Sequence, residues 1–177
     1  MAKELRGGES PTFLLTVEEL IQTDEDAEVE FKSTARWNLV EERRDKRMED
    51  AVVKTVAAFL NTDGGTLLIG VADDRSVVGL EHDYPHVKPQ NADGFTNWLT
   101  THLCNALGKP SVMRTKARMA IHDGFQICRV DVSPANRPVH AKTSTAEQVF
   151  FVRINNTTRA LTEAEVDEYL LDRWPEG

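Results

Sequence analysis

A chain of 177 residues, 40% hydrophobic and 28% charged, is long enough for one globular domain with a substantial core and has no apolar run of membrane-spanning length. Two cysteines, Cys104 and Cys128, exclude a disulfide framework or a zinc finger and read as small buried thiols of a cytoplasmic protein, with no apolar signal-peptide run at the N-terminus. The net charge of −8 argues against a polyanionic partner until its distribution is read: residues 94–162 hold 9 Lys and Arg against 3 Asp and Glu, a basic block inside an acidic chain.

Gly7-Gly8 and Ser10-Pro11 interrupt regular structure, so 1–15 is expected to be a flexible segment and 16–177 the domain. Thr16-Val17-Glu18-Glu19 has the pattern of a capping box and starts a short helix through Gln22. After the acidic run at 23–26, residues 27–33 alternate as a strand does. Glu28, Glu30 and Lys32 fall on one face, Val29 and Phe31 on the other. The segment 36–50 is dense in both charge signs and reads as a solvated loop entering a central helix. In that helix Val52, Val56, Phe59 and Leu60 share a face. Asn61-Thr62-Asp63-Gly64-Gly65 ends it, because these residues favour turns and left-handed backbone. The apolar run 66–71 reads as a buried strand with Asp73 and Asp74 at its exit, and a second run, 77–80, lies within hairpin distance.

Residues 81–91 contain two prolines and read as a loop. Phe95, Trp98, Leu99, Leu103 and Leu107 mark a second helix, closed by Gly108 and Pro110. A hairpin follows over 112–121 and 125–132 around His122-Asp123-Gly124, then a strand over 148–154 and a turn at 155–158. A second capping box, Thr162 to Glu165, opens a final helix with Val166, Tyr169 and Leu170 inward. The fold class expected is a single α+β domain with a mixed, mostly antiparallel sheet flanked by helices.

The acidic residues Glu25, Glu28, Glu30, Asp73 and Asp74 have the chemistry of a metal site. Phosphodiester hydrolysis uses carboxylates to hold divalent ions that polarise the phosphate and activate a water. Lys32, beside Glu30, would steady the phosphate. By residue type alone, solvent-facing charges on an edge strand account for them better. Gly64-Gly65 has the makings of an anion nest, but a helix stop explains it equally and the Lys-Ser/Thr of a P-loop is missing. Lys109, Arg114, Lys116, Arg118, Arg137, Lys142, Arg153 and Arg159, with His140, would suit a phosphate-binding surface. The alternation at 114, 116 and 118 makes one strand face cationic, as an ordinary solvated face also would. His82 and His86 flank Pro85, which argues against a helical metal pair.

The segments 25–33 (E-D-A-E-V-E-F-K-S) and 57–74 (A-A-F-L-N-T-D-G-G-T-L-L-I-G-V-A-D-D), Arg137-Pro138-Val139, and 151–158 (F-V-R-I-N-N-T-T) resemble, in order, blocks of the Schlafen-type AlbA-like domain. Those blocks are E-F-K, A-F-x-N-T-x-G-G-x-L-x-I-G-V, P-V and Y/F-x-R-x-G-x-x-T. The resemblance implies an α+β nucleic-acid-binding module of the kind found in bacterial regulators and defence proteins. In vertebrate Schlafen relatives two such lobes form a metal-dependent endoribonuclease acting on tRNA and rRNA. Carried over, the catalytic, metal-binding carboxylates are Glu25 and Glu30, at the family's five-residue spacing, and Asp73. The extra Ala72 leaves Asp74 as a rival, and Glu28 rivals Glu25. The implied cofactor is Mg²⁺ or Mn²⁺, with Lys32 on the scissile phosphate, and the implied partner is tRNA, other RNA or DNA. A single lobe implies a homodimer to complete the groove. Asn156 stands where the family commonly has glycine. The alternative is a non-catalytic DNA-binding, nucleotide-binding or protein-interaction regulatory module.

Overall fold

A computed structural model describes residues 9–176. The chain enters through a 3₁₀ turn at Pro11–Leu14, capped by the Ser10 hydroxyl. Of the segment expected to be flexible, 1–8 lies outside the described residues, whereas Ser10 and Thr12 are buried. Their hydroxyls start a polar chain, Ser10–Thr12 at 2.9 Å, Thr12–Thr66 at 2.9 Å and Thr66–Asp131 at 2.7 Å. That chain pins the turn to the sheet, a pairing of distant residues that the local Ser-Pro signal does not carry.

Helix α1, Val17–Gln22, has the full capping box between Thr16 and Glu19. Strand β1, Val29–Lys32, turns Val29 and Phe31 onto an apolar cluster with Leu20, Leu68 and Ile127. The expected solvated loop at 36–50 is instead largely structured. It contains the two-residue ribbon β2, Trp37–Asn38, and β3, Arg43–Arg44, and the start of helix α2, Lys46–Asn61. Its charges are satisfied in pairs: Arg36 Nε donates to Glu49 at 3.0 Å, and Asp45 caps α2 by accepting the Arg47 amide at 2.9 Å. Buried Asp83 accepts the amides of Ala35, Arg36 and Trp37 at 2.8, 2.8 and 3.1 Å. Burial pushes its carboxyl up, against the three amide hydrogen bonds.

Helix α2 stops at Asn61, and a left-handed turn leads into β4, Gly65–Ile69. A Cβ on Gly65 would lie 2.6 Å from the Glu28 carbonyl oxygen and 2.7 Å from the Phe59 ring; one on Gly64 would lie 2.5 Å from the Val132 carbonyl. The glycine pair is therefore packed against carbonyl oxygens, which suits a close crossing and not an anion. Past β4, the second apolar run makes only one bridge, Val71 to Val77, with the amides of Val78 and Gly79 both donating to the Gly70 carbonyl. Helix α3, Ala92–Leu107, buries Phe95, Leu99, Leu103 and Leu107. Pro110 does not stop the chain here, because a further turn, α4, Lys109–Val112, begins after Gly108 and accepts proline near its start.

Strands β5, Thr115–His122, and β6, Phe125–Val132, form the expected hairpin. The main sheet has the order β1-β4-β6-β5, with β1 and β4 parallel and the other pairs antiparallel. Strands β7, His140–Lys142, β8, Gln148–Ile154, and β9, Thr157–Ala160, form a second, antiparallel sheet. Helix α2 touches both sheets, which is why Val53, Ala57 and Ala58 are buried along with the predicted face. Asn61, fully buried, donates to the Val139 and Phe151 carbonyls at 2.8 and 2.9 Å and accepts the Val139 amide at 2.9 Å. Helix α5, Glu163–Arg173, closes the chain with its capping box in place; Tyr169 reaches back to the Asn61 carbonyl. Both cysteines are free, and burial pushes the Cys128 thiol up to about 12. Among the described residues no helix is long and apolar enough to cross a membrane.

Candidate nucleic-acid interface and carboxylate site

Strand β1 is one edge of the main sheet, and alternation turns Glu30 and Lys32 away from the apolar cluster beneath it. Glu30 is nevertheless 8% exposed. It meets Arg153 of β8, whose side chain is 1% exposed and whose Nη2 lies 2.5 Å from Glu30 Oε2. Arg153 also donates to the Asp26 carbonyl from Nε and Nη2, at 3.1 and 2.8 Å, and to the Val29 carbonyl at 3.1 Å. Its guanidinium lies over the Phe59 ring. Lys32 Nζ takes the other oxygen, Oε1. Glu30 is thus held between two cations, and Arg153, expected on a basic surface, is inside the protein. The correction has a clear cause: a buried carboxylate needs a partner, and Arg153 supplies it.

Glu25 folds back so that its Oε1 accepts the Phe31 amide at 2.7 Å. Burial raises its carboxyl above the ordinary range; the Phe31 hydrogen bond opposes this, and the charges of Glu30 and Asp73 add to it. Glu25, Glu30 and Asp73 therefore share one electrostatic neighbourhood. Asp74 is directed elsewhere, accepting the Ser76 amide at 2.9 Å and the Ser76 hydroxyl at 2.5 Å, and these bonds hold its carboxyl below the usual value. Glu28 accepts the Ser10 hydroxyl at 2.9 Å. Of the rival pairs, Asp74, Glu28 and Glu25 all accept hydrogen bonds within local structure.

Among the described residues no group of three His, Cys, Asp or Glu side chains is placed to hold a metal ion. Both Glu30 oxygens are bonded to cations, so the set as arranged does not fit Mg²⁺ or Mn²⁺, which take free carboxylate oxygens.

A cleft of about 500 Å³ opens beside this cluster, lined by Glu30, Lys32, Lys54, Thr158 and Arg159 among others. Lys54 was not among the expected residues. It comes from the polar side of α2, and the helix was read for its apolar face. The two-residue loop between β8 and β9 shapes the cleft rim, with Ile154 paired to Thr157. There Asn155 takes the left-handed conformation, φ 52; counted from Phe151 it is Asn155, not Asn156 as expected, that stands at the glycine of Y/F-x-R-x-G-x-x-T, and asparagine tolerates that backbone.

The remaining expected cations do not converge on the cleft. Lys116 and Arg118 lie on β5, at the opposite edge of the sheet, and Arg118 pairs with Asp131 at 2.8 Å. Arg114 and Arg137 line a separate cavity, near exposed Lys109, and Lys142 lines a third with Lys46 and His102. His86 stacks on Trp37 with ring centroids 4.7 Å apart.

The sequence model of the Schlafen AlbA_2 family matches residues 25–162. The chain belongs to this family. The match runs from Glu25 to Thr162 and so takes in the whole carboxylate cluster and its cleft. Among solved structures, this Schlafen AlbA_2 chain is similar to the DIP2311 protein of Corynebacterium diphtheriae, with a TM-score of 0.59 and 19% identity, over 89% of this chain and 31% of that one. It thus spans about a third of that protein's length. It is also similar to the N-terminal domain of a RecG-related protein of Nitrosomonas europaea, with a TM-score of 0.47 and 26% identity, over 72% of this chain and 78% of that one.

Proposed function

We propose that this Schlafen AlbA_2 domain binds nucleic acid, RNA in particular, by its sugar–phosphate backbone along the cleft beside Glu30. The observation that carries the reading is the convergence of Lys32, Lys54 and Arg159 on that one cleft. Phosphate contacts of this kind supply sequence-independent affinity, and the polar residues Asn156, Thr157 and Thr158 on the rim offer further hydrogen bonds. The test is fluorescence anisotropy with labelled tRNA, single-stranded RNA and duplex DNA at several salt concentrations. Wild type should bind RNA and lose affinity as salt rises, and K54A/R159A should bind more weakly. Affinity independent of salt, or equal in the double variant, overturns the reading.

A second reading, metal-dependent endoribonuclease activity on tRNA, is favoured by the shared field of Glu25, Glu30 and Asp73. Because Glu30 is already engaged by Lys32 and Arg153, no catalytic step is assigned to an ion there. Incubation of tRNA with Mn²⁺ tests it, with Asp73→Asn as the comparison, since Glu30 variants also disturb Arg153. Equal cleavage by both proteins, or by neither, removes the catalytic claim. A second copy would be needed if the groove takes two lobes, and light scattering at high concentration tests for that homodimer.

A further inference from the structure

A second cavity, about 510 Å³ and within the range of small-ligand sites, opens between α4 and the 133–139 loop. Its charged lining is Arg114 and Arg137, with no acidic residue, and Ser111 and Asn136 add neutral polar groups. The two arginines differ in a useful way. Arg114 is half-buried and held in place, its Nη1 donating to the Pro134 carbonyl at 2.8 Å. Arg137 is exposed and makes no hydrogen bond or ion pair among the described residues.

The loop that presents Arg137 is fixed at both ends. The Ala135 amide donates to the Leu60 carbonyl at 2.7 Å, and the Val139 amide donates to Asn61 at 2.9 Å. Buried Ala135 and Val139 also give the cavity an apolar wall. An uncompensated guanidinium on an anchored loop, lining the same cavity as a second guanidinium already oriented, is a receptor suited to a doubly charged anion.

We propose that this cavity binds a phosphate monoester, with the phosphate between Arg114 and Arg137 and the attached nucleoside against Ala135 and Val139. A monoester carries close to two negative charges near neutral pH and three terminal oxygens, matching two guanidinium forks. A free nucleotide and a phosphorylated strand end both present this group. The site shares none of its lining with the cleft beside Glu30 and does not depend on the reading given to that cleft.

Calorimetric titration of the full chain at fixed ionic strength tests the proposal, with AMP, inorganic phosphate and adenosine as ligands. AMP and phosphate should bind saturably and adenosine should not. Arg137→Gln, at an exposed position without partners, should keep the wild-type melting temperature and weaken AMP about tenfold. K54A/R159A should bind AMP as wild type does, which separates this site from the cleft even if the cleft proves inactive. Tighter binding of a 5′-phosphorylated oligonucleotide than its 5′-hydroxyl form, lost in Arg137→Gln, assigns the pocket to strand ends; equal binding of the two with AMP binding intact assigns it to free nucleotides. Absence of phosphate and AMP binding, wild-type AMP affinity in Arg137→Gln, or adenosine binding as tight as AMP overturns the proposal.

Discussion

Burying Glu30 against Arg153 makes the candidate site part of the fold's stability. With Arg153 side chain 1% exposed and Glu30 8% exposed, removing Arg153 leaves the buried Glu30 with Lys32 alone to balance it, and removing Glu30 leaves the guanidinium inside with only neutral oxygen acceptors. Such losses amount to about 3–5 kcal/mol, whereas replacing both partners together is often close to neutral. We expect Arg153→Met to lower the urea midpoint strongly and Glu30→Gln/Arg153→Met to recover much of the loss. Additive losses in the double-mutant cycle would show that the two side chains act separately. Glu25 behaves differently. Its carboxyl is raised above the ordinary value of 4.5, with burial the main cause, so the folded state holds this proton more tightly than the unfolded chain. The associated stability is fully present below about pH 4.5 and is lost as pH rises through the raised folded value. Glu25→Gln removes the titration, so the variant should gain stability relative to wild type as pH rises from 4 to 7. Parallel stability curves for the two proteins over that range would count against a raised Glu25.

Asn61 joins elements in the way Glu30 joins residues. It ends α2, and its side-chain amide spans to the loop before β7 and to β8 through three hydrogen bonds. Asn61→Ala leaves the Val139 amide and two carbonyls without partners in a fully buried place, which should cost about 3–5 kcal/mol. A fall of that size in urea denaturation at unchanged m-value is the expected result; a loss under about 1 kcal/mol would mean that water or a shifted backbone replaces the amide. The end of α2 itself was legible in the sequence, because Asn-Thr-Asp-Gly-Gly is a local signal and both capping boxes are likewise contained in four residues. The role of the Asn61 amide was not, since its partners lie in later strands. The same distinction explains the ribbon at 37–44 and the buried charges near it. Arg36, Asp45 and Glu49 look solvated in sequence, and only the Arg36–Glu49 pair, the bonds of Asn38 and Arg47 to Asp45 and the anchoring of the loop by Asp83 make their burial affordable. At the site, alternation placed Glu30 and Lys32 on one face correctly, but the arginine that encloses Glu30 arrives from β8 and leaves no local trace.

For the whole molecule, the decisive quantity is how a chain of net charge −8 approaches a polyanion. Of the basic block at 94–162, Arg129 and Arg153 are buried in ion pairs, so fewer cations face solvent than the sequence count implies. At low salt the Debye length is about 30 Å and an approaching nucleic acid feels the net negative field; near physiological ionic strength it is about 8 Å and only the nearest charges matter. Lys32, Lys54 and Arg159 at the cleft therefore attract at contact, while the molecule as a whole repels at a distance. This differs from a basic nucleic-acid-binding protein, whose association is steered and slows as salt rises. In stopped-flow binding of a single-stranded RNA, we expect the association rate to stay level or rise between about 10 and 150 mM salt, and the dissociation rate to rise throughout. The salt dependence of Kd then resides in dissociation. Each phosphate contact contributes a slope of about 0.7 for a single strand, so K54A/R159A should flatten log Kd against log salt by about 1.4. An association rate that falls steeply over the same range would show that the RNA senses a positive field at long distance, and the cations that steer it would then have to be sought outside the cleft.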